Sequence, residues 1–131
     1  MIYGIDGILL SSNDATKLSK FYRDVVGLKI GMEADMGDSG DKVYGFSLKN
    51  GSDFVVMDHS KVKGKSTQPE RYMINFTVDD IEADVKRLKE ANVKLISDIY
   101  HIEDYGQVAT FEDPDGNYFQ LVQVKAKRMT N

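Results

Sequence analysis

The chain has 131 residues, of which 41% are hydrophobic and 29% are charged, with a formal net charge of −4 and no cysteine. This size suits one domain, or two half-size modules that share a core, and the composition is that of a folded protein. The absence of cysteine excludes disulfides, thiolate metal sites and cysteine nucleophiles. The negative charge disfavours nucleic acid as a partner, because that binding depends on lysine and arginine displacing counterions.

Targeting and membrane signals are also lacking in the sequence. The first ten residues do not combine a basic segment with a long apolar run, and no stretch reaches the roughly 20 apolar residues of a membrane span. We therefore expect a cytoplasmic protein that has no membrane partner.

The first half of the chain predicts a strand, a helix and three further strands. Ser11 to Asp14 supply capping side chains for a helix that begins at Ala15, and Gly27 suits its left-handed exit. Asn50-Gly51 predicts a hairpin turn, and Glu33 to Asp41 is rich in glycine and aspartate and predicts a loop. The predicted strands are residues 1–10, 28–32, 43–48 and 54–57.

The second half repeats this order after a polar linker at about residues 59–70. Asp79-Asp80 caps a second helix, and Asn92 can take the left-handed exit that Gly27 takes earlier. The segment Asp113 to Asn117 predicts the turn before the last strand. The predicted strands are residues 72–78, 94–99, 107–112 and 118–124.

An internal repeat accounts for both halves. A shift of 66 residues places Ile8 on Ile74, Asp14 on Asp80, Lys20 on Lys86 and Ile30 on Ile96. The sequence predicts an α+β fold of two tandem βαβββ modules, about 1–58 and 71–126, within a single domain of residues 1–131. Neither module can cover both faces of its sheet, so we expect curved mixed sheets around a cleft, with the helices outside.

Three segments carry a resemblance to a known family. They are Phe21 to Leu28 (FYRDVVGL), Phe76 to Ile81 (FTVDDI) and Phe111 to Asn117 (FEDPDGN). In combination they resemble the vicinal-oxygen-chelate superfamily of glyoxalases, bleomycin-resistance proteins and extradiol dioxygenases, from about Ile5 to Gln123. Each segment also has a purely structural explanation, as helix core, helix cap or hairpin turn, so the resemblance implies the fold more strongly than any reaction.

The resemblance also implies where a metal would bind. Members that carry a metal place histidine and glutamate ligands on the first and fourth strands of each module. Here those positions fall on Gly7 and Met73, near Val56, and on Gln120. A single neutral amide is a poor substitute for such ligands, so we expect no metal and no other cofactor. A register error of two residues would bring Asp58 into the fourth-strand position.

The two histidines are predicted to be ordinary surface or strand-end residues. His59 follows the last strand of the first module, and His101 precedes a loop that contains Tyr105. The alternative is that one of them contacts a ligand at the rim of the cleft, because histidine often does so near neutral pH.

The favoured hypothesis is that the cleft binds a small, neutral or cationic molecule with an apolar or aromatic part, as the metal-free drug-resistance branch of the resembled family does. Gly7 and Met73 would leave room and a flexible apolar surface, while Gln120 would orient the molecule. The predicted ligand-binding residues are Gly7, Val56, Asp58, Met73, Asn75, Tyr105 and Gln120.

Two other hypotheses stay open. One is a metal-dependent lyase, isomerase or dioxygenase whose ligands have been misaligned, and the other is an interaction module that has no small ligand. The resemblance further implies a homodimer.

Overall fold

The structure is a computed structural model that describes residues 1–36 and 40–125, without the side chain of Met36. The chain divides into two compact units, of which the first is Met1–Gly64 and the second begins at Lys65. The first unit contains β1 (Gly7–Ser12), α1 (Ala15–Lys20) with a π-helical segment (Phe21–Val26), β2 (Ile30–Met36), β3 (Asp41–Ser47) and β4 (Asp53–Asp58). The second contains β5 (Ile74–Thr77), α2 (Ile81–Glu90), β6 (Lys94–Ile102), β7 (Gly106–Glu112) and β8 (Tyr118–Val124).

Each unit contains one four-stranded mixed sheet. The strand order is β1-β4-β3-β2 in the first unit and β5-β8-β7-β6 in the second. In both, the first and last strands of the unit pair in parallel, and the other neighbours pair antiparallel. The predicted α+β fold of two βαβββ modules is therefore confirmed.

The helix caps and exits lie where the sequence predicts them. Asp14 accepts a hydrogen bond from the backbone N–H of Lys17 at 3.1 Å, and Asp80 accepts one from Ala83 at 3.1 Å. Gly27 (φ 101°) and Asn92 (φ 62°) both adopt the left-handed conformation that ends a helix. These local predictions are confirmed.

The turns that join antiparallel strands are also formed by the predicted residues. The buried carboxylate of Asp113 accepts hydrogen bonds from the backbone N–H groups of Asp115 (2.9 Å) and Asn117 (3.0 Å). In the β3–β4 hairpin, Gly51 has φ 92° after Asn50. Both turns hold neighbouring strands of one sheet in register.

Several strand boundaries differ from the prediction. β1 begins at Gly7, β6 continues to Ile102, and β2 runs four residues into the predicted loop. β2 continues because its backbone pairs with β3 as far as Met36 and Asp41, and this pairing outweighs the local composition. Asp38 of the predicted loop, and residue 126 at the predicted end of the second module, lie outside the described residues.

Aromatic packing fixes which face of the first sheet meets the helix. The rings of Tyr22 and Phe54 lie 5.0 Å apart in an edge contact, and Phe54 stacks on Phe46 at 5.7 Å. All three side chains are buried. Successive side chains of a strand point to opposite faces. The residues next to Phe46 on β3 and next to Phe54 on β4 therefore lie on the opposite, helix-free face of the sheet.

The second sheet is packed in the same way. Phe111 and Phe119 stack at 5.9 Å, and the α2 residues Ile81, Val85 and Leu88 are buried. The stacked pair is the counterpart of Phe46 and Phe54, which precede it by 65 residues. This sheet therefore also has a helix-free face.

The segment from the helix start at Ala15 to the left-handed Gly27 is one residue longer than its counterpart from Ile81 to the left-handed Asn92. The hydrogen bond that closes the first helix joins Leu28 N to Tyr22 O at 2.9 Å, across six residues. Its counterpart joins Val93 N to Leu88 O at 3.1 Å, across five residues. The extra residue is accommodated by the π-helical segment, because a π-helix fits one more residue into a turn than an α-helix does.

This extra residue changes the offset between the modules from 66 to 65. Ile30 lies opposite Phe46, and Leu95 lies opposite Phe111, so Ile30 corresponds to Leu95. The match of Ile30 with Ile96 predicted from a constant shift is wrong by one residue.

The equivalence of the two helices can be tested by deletion. Removing Asp24 should convert the π-helical segment to the α-helix of the second unit and lower the free energy of unfolding by about 1 kcal/mol or less. Removing Arg87 should rotate the following turn by about 100° and displace Leu88 from the core. That deletion should cost about 3 kcal/mol or more. Urea unfolding would measure both, and equal losses would contradict the proposed equivalence.

Candidate ligand-binding faces

An apolar row crosses the helix-free face of the first sheet. The strand register places Leu9, Val55, Gly45 and Met32 next to one another on β1, β4, β3 and β2. Leu9 is 58% exposed and Met32 is 46% exposed. The Met32 methyl group lies 3.4 Å from the place that a Cβ of Gly45 would occupy, so this glycine makes room for the methionine. The row offers a flexible apolar surface.

A polar row crosses the helix-free face of the second sheet. It consists of Asn75, Gln120, Thr110 and Ser97, on β5, β8, β7 and β6. The Thr110 hydroxyl donates to Gln120 Oε1 at 2.7 Å, and Gln120 Nε2 donates to Asn75 Oδ1 at 2.8 Å. Thr110 is buried and Asn75 is exposed. Sequence reasoning selected Asn75 and Gln120 but missed Thr110.

The two rows occupy equivalent positions in their modules but differ in chemistry. With an offset of 66 on the first strands and 65 on the others, each apolar residue has a polar counterpart. The equivalent pairs are Leu9 and Asn75, Val55 and Gln120, Gly45 and Thr110, and Met32 and Ser97. One module therefore offers hydrocarbon and thioether groups where the other offers hydrogen-bonding groups.

Val56 lies on the face of the first sheet that is opposite the apolar row. Its side chain is fully buried, and it pairs with Tyr44, whose hydroxyl is 2.7 Å from the Thr16 hydroxyl of the first helix. Val56 therefore belongs to the core under α1, and the counterpart of Gln120 is Val55. The signal that could have corrected the register is the shorter helix of the second module.

Asp58 holds the start of the first helix. Its carboxylate accepts hydrogen bonds from Ala15 N at 2.8 Å and from Lys42 N at 2.9 Å. In the second unit, Gln123 Oε1 accepts one from Ile81 N at 2.8 Å. Because both oxygens of Asp58 already accept backbone N–H groups, its evident role is to join helix and sheet.

Gly7 marks a close approach of two strands. A Cβ at this position would lie 2.6 Å from the carbonyl oxygen of Asp53 on β4. The position of a side chain at Gly7 is therefore occupied by the β4 backbone, and the proposed role of Gly7 in leaving room for a ligand stays a prediction.

The other predicted residues are dispersed. Met73 is 42% exposed just before β5, and Tyr105 is partly exposed in the turn between β6 and β7. The structure brings Asn75 and Gln120 into direct contact. The binding roles of the predicted residues otherwise stay predictions.

Both histidines are exposed and line cavities near the helix starts. His59 and Asp58 line a cavity of about 310 Å³ in the first unit. His101 lines one of about 380 Å³ in the second, together with Asp79 and Gln123. These cavities occupy equivalent ends of the two modules, and neither histidine belongs to the rows on the helix-free faces.

The side chains at the positions where the resemblance implies metal ligands do not fit a hard divalent cation. These positions hold Gly7, Met73, Val55 and Gln120, and the one oxygen among their side chains, Gln120 Oε1, accepts the Thr110 hydroxyl. Within residues 1–36 and 40–125, no three histidine, aspartate or glutamate side chains lie close enough together to hold a metal ion.

Ion pairs at the surface lower the pKa of two aspartate side chains. A hydrogen bond from the Lys89 ammonium group lowers the pKa of Asp98, and one from the Arg23 guanidinium lowers the pKa of Asp24. Both carboxyl groups are exposed and lie outside the two rows. They therefore contribute surface charge rather than a reactive group in the candidate site.

No helix in the part of the chain that the structure describes is long and apolar enough to cross a membrane.

Paired βαβββ modules with equivalent helix-free faces define the class of protein. The family model described as the glyoxalase/bleomycin resistance protein/dioxygenase superfamily matches residues 4–121. The chain belongs to this superfamily.

Solved structures with the same fold include both resistance and binding proteins. The antibiotic binding protein TnmS3 from Streptomyces sp. CB03234 is 25% identical, with 95% of this chain and 98% of that chain covered and a TM-score of 0.72. The fosfomycin resistance protein FosX from Listeria monocytogenes is 20% identical, with coverages of 97% and 98% and a TM-score of 0.74. No protein of curated function matches the sequence significantly.

A third similar structure is a glyoxylase/bleomycin resistance protein/dioxygenase domain from Frankia sp. EAN1pec. It is 16% identical, with coverages of 95% and 100% and a TM-score of 0.75. Identities this low, like that of FosX, establish the shared fold alone.

Removal of the Asp58 carboxylate tests its structural role. Asp58→Ala leaves two backbone N–H groups without their acceptor and should lower the free energy of unfolding by about 2 kcal/mol. Gln123→Ala removes one acceptor and should cost about 1 kcal/mol. Urea unfolding of both variants measures the difference. A change below about 0.5 kcal/mol for Asp58→Ala would argue against the role.

The register of β4 can be tested with one substitution at two adjacent positions. Val56→Thr places a hydroxyl in the core and should lower the free energy of unfolding by about 2 kcal/mol. Val55→Thr, on the helix-free face, should cost about 0.5 kcal/mol. Thermal and urea unfolding provide the measurement. The reverse order would show that Val56, rather than Val55, lies on the helix-free face.

Proposed function

We propose that this protein binds a small, neutral or cationic molecule with an apolar or aromatic part, without a metal ion, on the helix-free faces of its sheets. The observation that carries the proposal is the pair of equivalent rows. One row presents the exposed apolar side chains of Leu9 and Met32, and the other presents the amides of Asn75 and Gln120. Small-molecule sites typically use apolar surface and a few polar groups, and each face supplies exposed groups of one of these kinds.

The likeness to TnmS3 supports the same function, because that protein is described as antibiotic binding. The side chains at the metal positions favour binding over metal-assisted chemistry, since Gln120 Oε1 is held by Thr110. The cleft expected from the sequence stays a prediction, as do the homodimer and the cytoplasmic location.

The proposal is tested by ligand-induced stabilisation in the presence of EDTA. Fluorene and 9-fluorenone are suitable uncharged aromatic probes. Melting is followed by circular dichroism, because the chain has no tryptophan whose fluorescence could report it. At a hundredfold excess over its Kd, a bound probe should stabilise the protein by about 2.7 kcal/mol. Leu9→Arg should weaken binding at least tenfold, because a charge replaces exposed apolar surface in the row.

Tyr3→Ser is the matched control, since Tyr3 is 99% exposed and precedes β1. Its binding should equal that of the unaltered protein. Stabilisation that appears only after addition of manganese or zinc, with one equivalent of metal retained after desalting, would support the metal-dependent enzyme instead. Absence of binding by either probe would contradict the proposal.

A further inference from the structure

We infer that the bound molecule carries a hydrogen-bond acceptor, such as a carbonyl oxygen, which is received by the Asn75 side-chain amide. This inference rests on the proposed function and specifies the chemistry of its ligand. It depends on the direction of the hydrogen bonds in the polar row of the second unit.

In the structure, the hydrogen bonds of the row run in one direction, which begins at a buried hydroxyl. Thr110 is 5% exposed and donates to Gln120 Oε1 at 2.7 Å. The carbonyl side of the Gln120 amide therefore faces β7, and its amino side faces β5. There Gln120 Nε2 donates to Asn75 Oδ1 at 2.8 Å.

The series of hydrogen bonds ends at an exposed donor, the Nδ2 group of Asn75. Because Asn75 Oδ1 is held by Gln120, the planar amide turns its Nδ2 group away from Gln120. Among the described residues, Asn75 Nδ2 has no hydrogen-bond partner, and Asn75 is exposed. Successive hydrogen bonds polarise one another, so this terminal N–H group is a better donor than that of an isolated amide.

A donor of this kind discriminates among ligands. A carbonyl oxygen can accept from Asn75 Nδ2, whereas a methylene group at the same place would cover the N–H and leave it unsatisfied. The Met73 side chain, two residues earlier in the chain and 42% exposed, supplies apolar surface for the rest of the molecule. Asn75 is therefore the residue that selects the ligand, and Thr110 is a positioning residue that acts through Gln120.

The experiment compares 9-fluorenone with fluorene, which have the same ring system and differ in a carbonyl against a methylene group. Their Kd values are measured by equilibrium dialysis in EDTA. The unaltered protein should bind fluorenone about five to ten times more tightly, as expected for one hydrogen bond. Asn75→Ala should abolish this preference, and Asn75→Asp, which replaces the donor by an acceptor, should abolish or reverse it.

Two substitutions test the positioning role of Thr110. Thr110→Val removes the hydroxyl at nearly constant volume and should reduce the preference for fluorenone about two- to threefold, while the affinity for fluorene stays the same. Thr110→Ser retains the hydroxyl and should retain the preference. A purely structural role would weaken both probes alike.

The control is Thr77→Val, which removes an exposed hydroxyl from the same face of β5 and should leave the ratio of the two Kd values unchanged. Equal affinity of the unaltered protein for both probes would overturn the inference and leave the proposed function standing. A preference that survives in folded Asn75→Ala would also overturn it. Binding of neither probe would contradict the proposed function, and this inference with it.

Discussion

In each unit, the contact of one helix with one face of the sheet determines which strand side chains lie on the opposite, helix-free face. The contact of Tyr22 with Phe54 in the first unit, like the buried apolar face of α2 in the second, fixes which alternate side chains of each strand face the helix. The remaining side chains lie on the helix-free faces, where some, such as Val108 and Val122, are buried and others, such as Leu9 and Asn75, are exposed. Thus Val55 and Gln120 lie on the helix-free faces, while Val56 and Phe119 fill the cores.

The π-helical segment Phe21–Val26 preserves this arrangement in spite of an extra residue. A one-residue slip along a strand would turn every side chain to the other face, so an additional residue must be accommodated before the strands begin. Here it is accommodated before Gly27, whose left-handed exit matches that of Asn92. β2 then starts in the register that β6 has in the second unit.

The sequence predicts what depends on near neighbours. The caps at Asp14 and Asp80 and the turn at Asp113 involve partners within four residues, and all three are formed. Val56 was placed only near a fourth-strand position, and the face on which it lies depends on its pairing with β3 and its burial under the first helix. The close approach of Asp53 to Gly7 was not predicted, because Asp53 lies on another strand. Such omissions arise where a residue's environment is made by distant parts of the chain.

The polar row is organised around the amide of Gln120. Gln120 uses its oxygen for Thr110 and its nitrogen for Asn75, so both halves of the amide are engaged. A carboxylate at this position could accept from Thr110 but would place a second oxygen against Asn75 Oδ1. Asn75 would then have to turn its amide and lose its outward donor. The outward N–H group of Asn75 therefore depends on a neutral side chain at residue 120.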